Sequence, residues 1–260
     1  MPDSILIEQQ GALANVILNR PRSHNALTAG MIGALRETFE QLAHSDTVRV
    51  IVLRGRGRSF CAGADLRGML AAAEATFEEN VAGSEAIFDL MDSVDRCPIP
   101  IVAGIQGAAI GGGAGLVSCC DIVVAVADTI FAFSEARLGI VPAVISPFVV
   151  AKMDAGAVRE LFLTGERFTA QRAQKAGLVQ HVVDDEAALD EMIKERVQQL
   201  LQAAPGAQAA VKELLREIGR RSRSELRSYT SELIARRRAS DEGREGMGAF
   251  LEKRPPWWQE

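Results

Sequence analysis

The chain has 260 residues, 48% of them hydrophobic and 24% charged, with a formal net charge of −5 at pH 7. That length and balance admit one large globular domain, or a core with an appended subdomain, and exclude a disordered chain or a coiled rod. The mild acidity argues against a nucleic-acid protein, which usually carries a basic domain or stripe.

Two short apolar runs, SILIEQQ and ALANVILN, flank Gly11 and predict a hairpin. Residues 28–44 carry helical periodicity after Thr28, a suitable N-cap. VRVIVLRG predicts a strand, followed by the turn FCAGADL at 60–66 and a helical region through about residue 96. Pro98 and Pro100 introduce the strand IVAGIQG, which leads into three consecutive glycines, Gly111 to Gly113. Strands are expected at 121–126, 130–133 and 178–183, after which the pattern is almost wholly helical, interrupted at Pro205-Gly206 and Gly219. The alternation predicts an α/β core with crossover connections and a boundary near residue 200, giving a core of 1–200 and a helical region of 201–260.

Glycines at a strand-to-helix junction let a reacting carbonyl approach free backbone N–H groups, a geometry that stabilises a developing oxyanion. Two such turns stand in the chain, one at 60–66 and one at 104–115, and each can supply one donor. Ser59 to Leu66, Gly107 to Asp121 and SEARLGIVPAVISP at 134–147 together resemble the crotonase, or enoyl-CoA hydratase/isomerase, superfamily. The resemblance extends to the ending EKRPPWW. It implies a spiral of ββα repeats, a C-terminal helical region packed on neighbouring subunits, and a homotrimer or hexamer. It also implies an acyl-CoA thioester substrate, with coenzyme A as part of that substrate and no separate cofactor.

On the family pattern, the Ala64 and Gly112 N–H groups form the oxyanion hole, and Ala62, Ala64, Asp65, Leu66, Arg67 and Gly112 lie along the acyl-CoA. Glu135 matches the glutamate that exchanges a proton α to the thioester; its competing role is to cap the turn after Ser134. A second catalytic glutamate stands in two-carboxylate hydratases where this chain has Gly115, a departure that opens isomerisation as an alternative to hydration. GAGLVSCCD at 113–121 followed by SEARLGIVPAVISPFVV at 134–150 looks most like the branch that hydrates methylglutaconyl- and isohexenylglutaconyl-CoA. Its substrates carry an extra carboxylate, for which Arg137 is a candidate partner or else a surface arginine. His24 lies in NRPRSHNAL, similar to a CoA-contacting stretch, with a plain turn residue as the other reading. Lys253 is a candidate for a CoA phosphate of a neighbouring subunit. The acyl pocket is expected between 66–96 and 140–148.

Other chemistries lack their motifs. No Gly-Lys dipeptide and no GxSxG elbow occur, and His24, His44 and His181 stand too far apart in sequence to suggest a metal site. Cys61, Cys97, Cys119 and Cys120 form no CxxC pair and fit reduced core residues. With no apolar run of about 18 residues and no secretory pattern in MPDSILIEQQ, a cytoplasmic protein without a membrane segment is expected. Lys212 to Arg238 holds nine basic and four acidic residues. This reads as a solvated helical surface or subunit contact, and nucleic-acid binding without turnover is the alternative outside enzymology.

Overall fold

The computed structural model describes residues 4–259, and for Leu66 the backbone without the side chain. The hairpin forms as the sequence predicts: β1 (Ile5–Gln10) pairs antiparallel with β2 (Leu13–Leu18) across a positive-φ Gly11. Helix α1 (Ala29–Ala43) opens at Thr28, whose hydroxyl accepts the Met31 N–H. Then comes β3 (Val50–Gly55). The expected single helical region divides into α2 (Leu66–Glu74) and α3 (Phe77–Arg96). The division falls at Thr76, whose capping box with Glu79 starts a new helix.

Strand β4 (Ile101–Ile105) is followed across Gly107 by β5 (Ala108–Ile110), a short strand that the apolar pattern does not separate from its predecessor. Helix α4 (Gly112–Ser118), β6 (Ile122–Val126) and β7 (Ile130–Ala132) follow. Residues 146–175 form α5 (Ser146–Lys152), α6 (Ala155–Thr164), β8 (Arg167–Thr169) and α7 (Ala170–Lys175), which short, mixed periodicity hides in the sequence. The expected strand at 178–183 shortens to β9 (His181–Val183), because Leu178 and Val179 are buried in the turn before it. The chain closes with α8 (Glu186–Leu201), α9 (Pro205–Ile218), α10 (Arg223–Ala239) and α11 (Asp241–Glu252).

Six strands form one sheet in the order β1-β2-β3-β4-β6-β9, parallel from β2 onward; β5, β7 and β8 form a second sheet. Successive strand pairs therefore alternate between the two sheets, which is the spiral of repeated β-β-α turns. Strand β3 is buried on both faces. Ile51 and Leu53 join the main core with α1 and α3, while Val50 and Val52 meet Leu189 and Ile193 of α8 on the other side. Fully burying each such side chain contributes about 1.5–3 kcal/mol, so the sheet's central strands fix the frame to which the turns are attached.

The last helices are tied to this frame by polar contacts. Arg49 donates to the carbonyls of Leu201, Ala203 and Trp258, holding the chain where α8 ends and the C-terminus returns. Lys212 of α9 pairs with Asp121 at 2.6 Å, and the same carboxylate accepts the Ile101 N–H. Lys212 is 9% exposed, so the pair is poorly screened. Lys212→Met is expected to lower the unfolding free energy by about 2 kcal/mol, because it strands the carboxylate. Urea denaturation checks this, and adding Asp121→Asn should recover part of the loss.

Candidate active site

The turn after β3 is held on two sides. Toward β5, Phe60 donates to the Gln106 carbonyl, Cys61 donates to the Ala108 carbonyl, and the Cys61 carbonyl accepts the Ile110 N–H. Toward the segment before α1, Ala62 donates to the His24 carbonyl at 2.9 Å. Leu27 donates to the Gly63 carbonyl at 2.8 Å, and Asp65 donates to the Leu27 carbonyl at 3.0 Å. Leu27 and Ala64 thus form a parallel bridge, and in such a ladder the bracketed residue turns its own N–H to the opposite side. Among the described residues the Ala64 N–H has no acceptor.

The second donor arises from register. Strand β5 pairs with β7 so that Ile110 stands opposite Ala132, and Gly111 then donates to the Ala132 carbonyl at 2.8 Å. Gly111 has φ of 50°, a conformation that glycine adopts without strain, and it turns the chain sharply into α4. Gly112, the first residue of α4, has no helical acceptor for its N–H and none elsewhere among the described residues. The two turns touch: a Cβ placed on Gly63 would lie 2.7 Å from the Ile110 carbonyl oxygen and 3.7 Å from the Gly112 nitrogen. The turn that carries the unpaired Ala64 N–H therefore lies against the turn that carries the unpaired Gly112 N–H.

Glu135 follows β7 by three residues and opens a single 3-10 turn, Glu135–Leu138. Its carboxylate lies against Gly111, where a Cβ would stand 3.1 Å from the Glu135 Oε1. The Ser134 side chain does not cap that turn, and the Glu135 Oε2 is buried with no partner among the described residues. Burial pushes the carboxyl above the usual carboxylate range, opposed by a weaker contact with its own backbone N–H. An acid whose pKa is raised in this way suits proton transfer better than an ordinary surface carboxylate does.

Gly115 is buried on the next turn of α4, and a Cβ there would meet the Ile145 Cγ2 at 2.4 Å and Cβ at 2.8 Å. Ile145 thus occupies the space that a side chain at position 115, the place expected to carry the second glutamate of a two-carboxylate site, would enter. Beside Ile145, Val144 closes a groove of about 440 Å³ lined from α3 by Phe77, Asn80, Val81, Ser84, Glu85 and Phe88. Phe88 stacks obliquely on Phe148, with ring centroids 5.4 Å apart.

The remaining expected residues divide. Ala62 is exposed beside the unpaired donors. Asp65 caps α2 by accepting the Arg67 N–H at 3.1 Å and pairs with Arg20 at 3.4 Å. Arg67 is exposed on the first turn of α2, and the Leu66 side chain lies outside the described residues. His24 stands in the left-handed turn region with its Nδ1 3.1 Å from the Ser59 hydroxyl. The Arg137 Nε donates to the Thr164 carbonyl at 2.9 Å, with its stem over Gly165. Lys253 ends α11 in a left-handed conformation and is exposed there.

In the basic stretch, Lys212 pairs with Asp121, and Arg221 pairs with Glu217 and covers the Tyr229 ring at 4.4 Å. Arg236 pairs with Glu232. Among the described residues no group of His, Cys, Asp and Glu is placed to hold a metal ion, and no helix is long and apolar enough to cross a membrane. All four cysteines are free and buried, and burial pushes the Cys61 and Cys120 thiols up to about 12.

The enoyl-CoA hydratase/isomerase family model matches residues 8–260. The chain belongs to that family. It is 35% identical over 209 residues to the enoyl-CoA hydratase AKT6-1 of Alternaria alternata, covering 80% of this chain and 68% of that protein. It is 33% identical over 265 residues to the carnitinyl-CoA dehydratase of Proteus mirabilis, covering 100% of this chain and 99% of that one. An enoyl-CoA hydratase structure from Shewanella pealeana superposes with a TM-score of 0.95 at 37% identity, covering 98% of this chain and 96% of that one. The fold is the crotonase fold, and the protein is an enzyme of the hydratase/isomerase family.

Sequence reasoning placed 140–148 at the acyl pocket without singling out Ile145, because its contact with Gly115 is purely tertiary. It also passed over Asn25, which stands beside His24 with φ of 56°, although asparagine is among the few residues that enter the left-handed region readily. Gly115→Ala is expected to cost about 1–3 kcal/mol through overpacking against Ile145. Thermal unfolding checks this, and Ile145→Ala in the same chain should recover part of the stability.

Proposed function

We propose that the protein adds water to a 2-enoyl-CoA through a thioester enolate. The observation that carries the reading is the meeting of the Ala64 and Gly112 N–H groups beside the half-buried Glu135. The thioester oxygen accepts both N–H groups, and the charge that grows on it in the enolate strengthens those bonds without any change of protonation. Glu135 takes a proton from water as its oxygen bonds to the β-carbon, then delivers that proton to the α-carbon. One carboxylate serves both steps, because Ile145 occupies the second place.

Ala62, Ala64, Asp65, Leu66 and Arg67 line the pantetheine and nucleotide side of the coenzyme A, with Gly112 at the thioester. The α3 groove receives the acyl chain, and its mostly apolar wall supports a branched chain. A distal carboxylate, as in a methylglutaconyl-like substrate, is the finer form of this reading. Arg137 is its candidate partner, since its Nε alone is engaged by Thr164. The dehydratase name of the Proteus mirabilis relative supports reversible water chemistry on a CoA thioester. Residues 201–260 cover the pocket and join subunits in a trimer or hexamer, where Lys253 of one subunit reaches a CoA phosphate of another. Pairing of the basic stretch within the chain supports a surface role over nucleic-acid binding. Buried free thiols suit a reducing cytoplasm.

The filled Gly115 position favours a second reading, in which Glu135 moves one proton between two carbons and isomerises the double bond. Turnover in oxygen-18 water separates the two. Crotonyl-, 3-methylglutaconyl- and 3-hexenoyl-CoA are offered to wild type and Glu135→Gln, and products are weighed by mass spectrometry. Labelled hydroxyacyl-CoA that falls about 10²–10⁴-fold in the variant is expected. An unlabelled double-bond shift would instead establish the isomerase.

The pH profile follows from the burial of Glu135. The carboxylate form takes the proton from water, and its pKa is raised. kcat/KM is therefore expected to fall on acidification through a limb that lies above the ordinary carboxylate range, read from initial rates across pH.

A further inference from the structure

Asn25 is fully buried, with φ of 56°, next to His24 with φ of 50°. Two successive left-handed residues are costly unless their surroundings hold them. Asn25 is held through every polar group it has. Its Oδ1 accepts the Arg20 N–H at 2.8 Å, and its own N–H returns a bond to the Arg20 carbonyl at 3.0 Å. Its Nδ2 donates to the Arg56 carbonyl at 3.0 Å and to the Ser59 carbonyl at 2.8 Å. Its carbonyl accepts from the Cys61 thiol at 3.2 Å.

These contacts place the side chain between the two pieces of chain whose alignment frees the Ala64 N–H. On one side is the arm Arg56–Cys61 that enters the turn. On the other is the segment His24–Leu27, whose bonds to Ala62, Gly63 and Asp65 leave Ala64 facing away. Tilting the arm against the segment rotates the Ala64 peptide plane, and a donor's strength depends steeply on its angle.

Resting on the reading in which Ala64 supplies one oxyanion donor, we infer that Asn25 is a positioning residue. It sets the direction of the Ala64 N–H through the Arg56, Ser59 and Cys61 contacts and touches no substrate itself.

The test uses Asn25→Gly, which keeps the left-handed backbone and deletes the side-chain bonds, and Asn25→Asp. The aspartate keeps the acceptor for Arg20 but sets a carboxylate oxygen against the Arg56 and Ser59 carbonyls. Cinnamoyl-CoA reports on the donors, because its conjugated carbonyl absorbs at longer wavelength when polarised by them. Each variant is expected to bind cinnamoyl-CoA within about threefold of wild type, with a diminished red shift. kcat should fall about 10–100-fold, less than the ~10²–10³ of losing a donor outright. KM should stay within about threefold, and Glu135→Gln should lose turnover while keeping the red shift. A folded variant with the wild-type red shift and kcat would overturn the inference, as would two variants that both fail to fold and so assign Asn25 to stability alone. A wild-type protein that leaves the cinnamoyl-CoA spectrum unchanged would overturn the oxyanion reading beneath it, and the inference with it.

Discussion

A backbone N–H without an acceptor inside a folded chain costs free energy, and proteins rarely leave one. Here two stand together, at Ala64 and Gly112, and much of the surrounding structure serves to keep them unpaired. The first exists because a parallel bridge with Leu27 turns Ala64 outward; the second exists because α4 begins at a glycine turn next to it. The sheets supply the rigidity that this demands. The turn after β3 is clamped to β5, β5 is clamped to β7, and the same pairing carries Glu135 to Gly111. In the proposed reading, a thioester oxygen seated there satisfies both donors at once, and the charge of the enolate strengthens those bonds relative to the neutral ester.

The carboxylate completes this logic from the opposite direction. Burial holds the Glu135 acid above its ordinary range and leaves Oε2 without a protein partner. A carboxyl that burial makes costly to charge is well suited to taking and returning a proton. Ile145 packs where a side chain on Gly115 would begin, and the proposed chemistry therefore rests on Glu135 as its one carboxylate. In the proposed reading, the groove beyond Val144 bears on the choice of acyl chain and not on the proton transfer.

Much of this was legible in the sequence. The hairpin about Gly11, the helix after Thr28 and the buried strand at 50–55 followed from periodicity and capping, because each is decided by neighbours a few residues away. The paired glycine turns suggested backbone donors from residue type and position alone, whereas Glu135 was singled out only through the family resemblance. The break between α2 and α3 was overlooked, although the capping box at Thr76 marks it. Strands β5 and β8 were missed for a different cause: each has three residues and is defined by its partner strand in the second sheet. Ile145 was invisible for the same reason, since nothing local connects it to Gly115. Asn25 lay in view within NRPRSHNAL, yet its role depends on carbonyls at 56 and 59 that only the fold brings near.

The central claim is that this site stabilises an enolate and that Glu135 moves the proton. Exchange of the α-protons of butyryl-CoA in deuterium oxide, followed by proton NMR, tests it without requiring the natural substrate or net turnover. The account predicts stereospecific loss of one α-proton signal with wild type and none above background with Glu135→Gln. Exchange that persists unchanged in the variant, or is absent from an active wild-type enzyme, would contradict it.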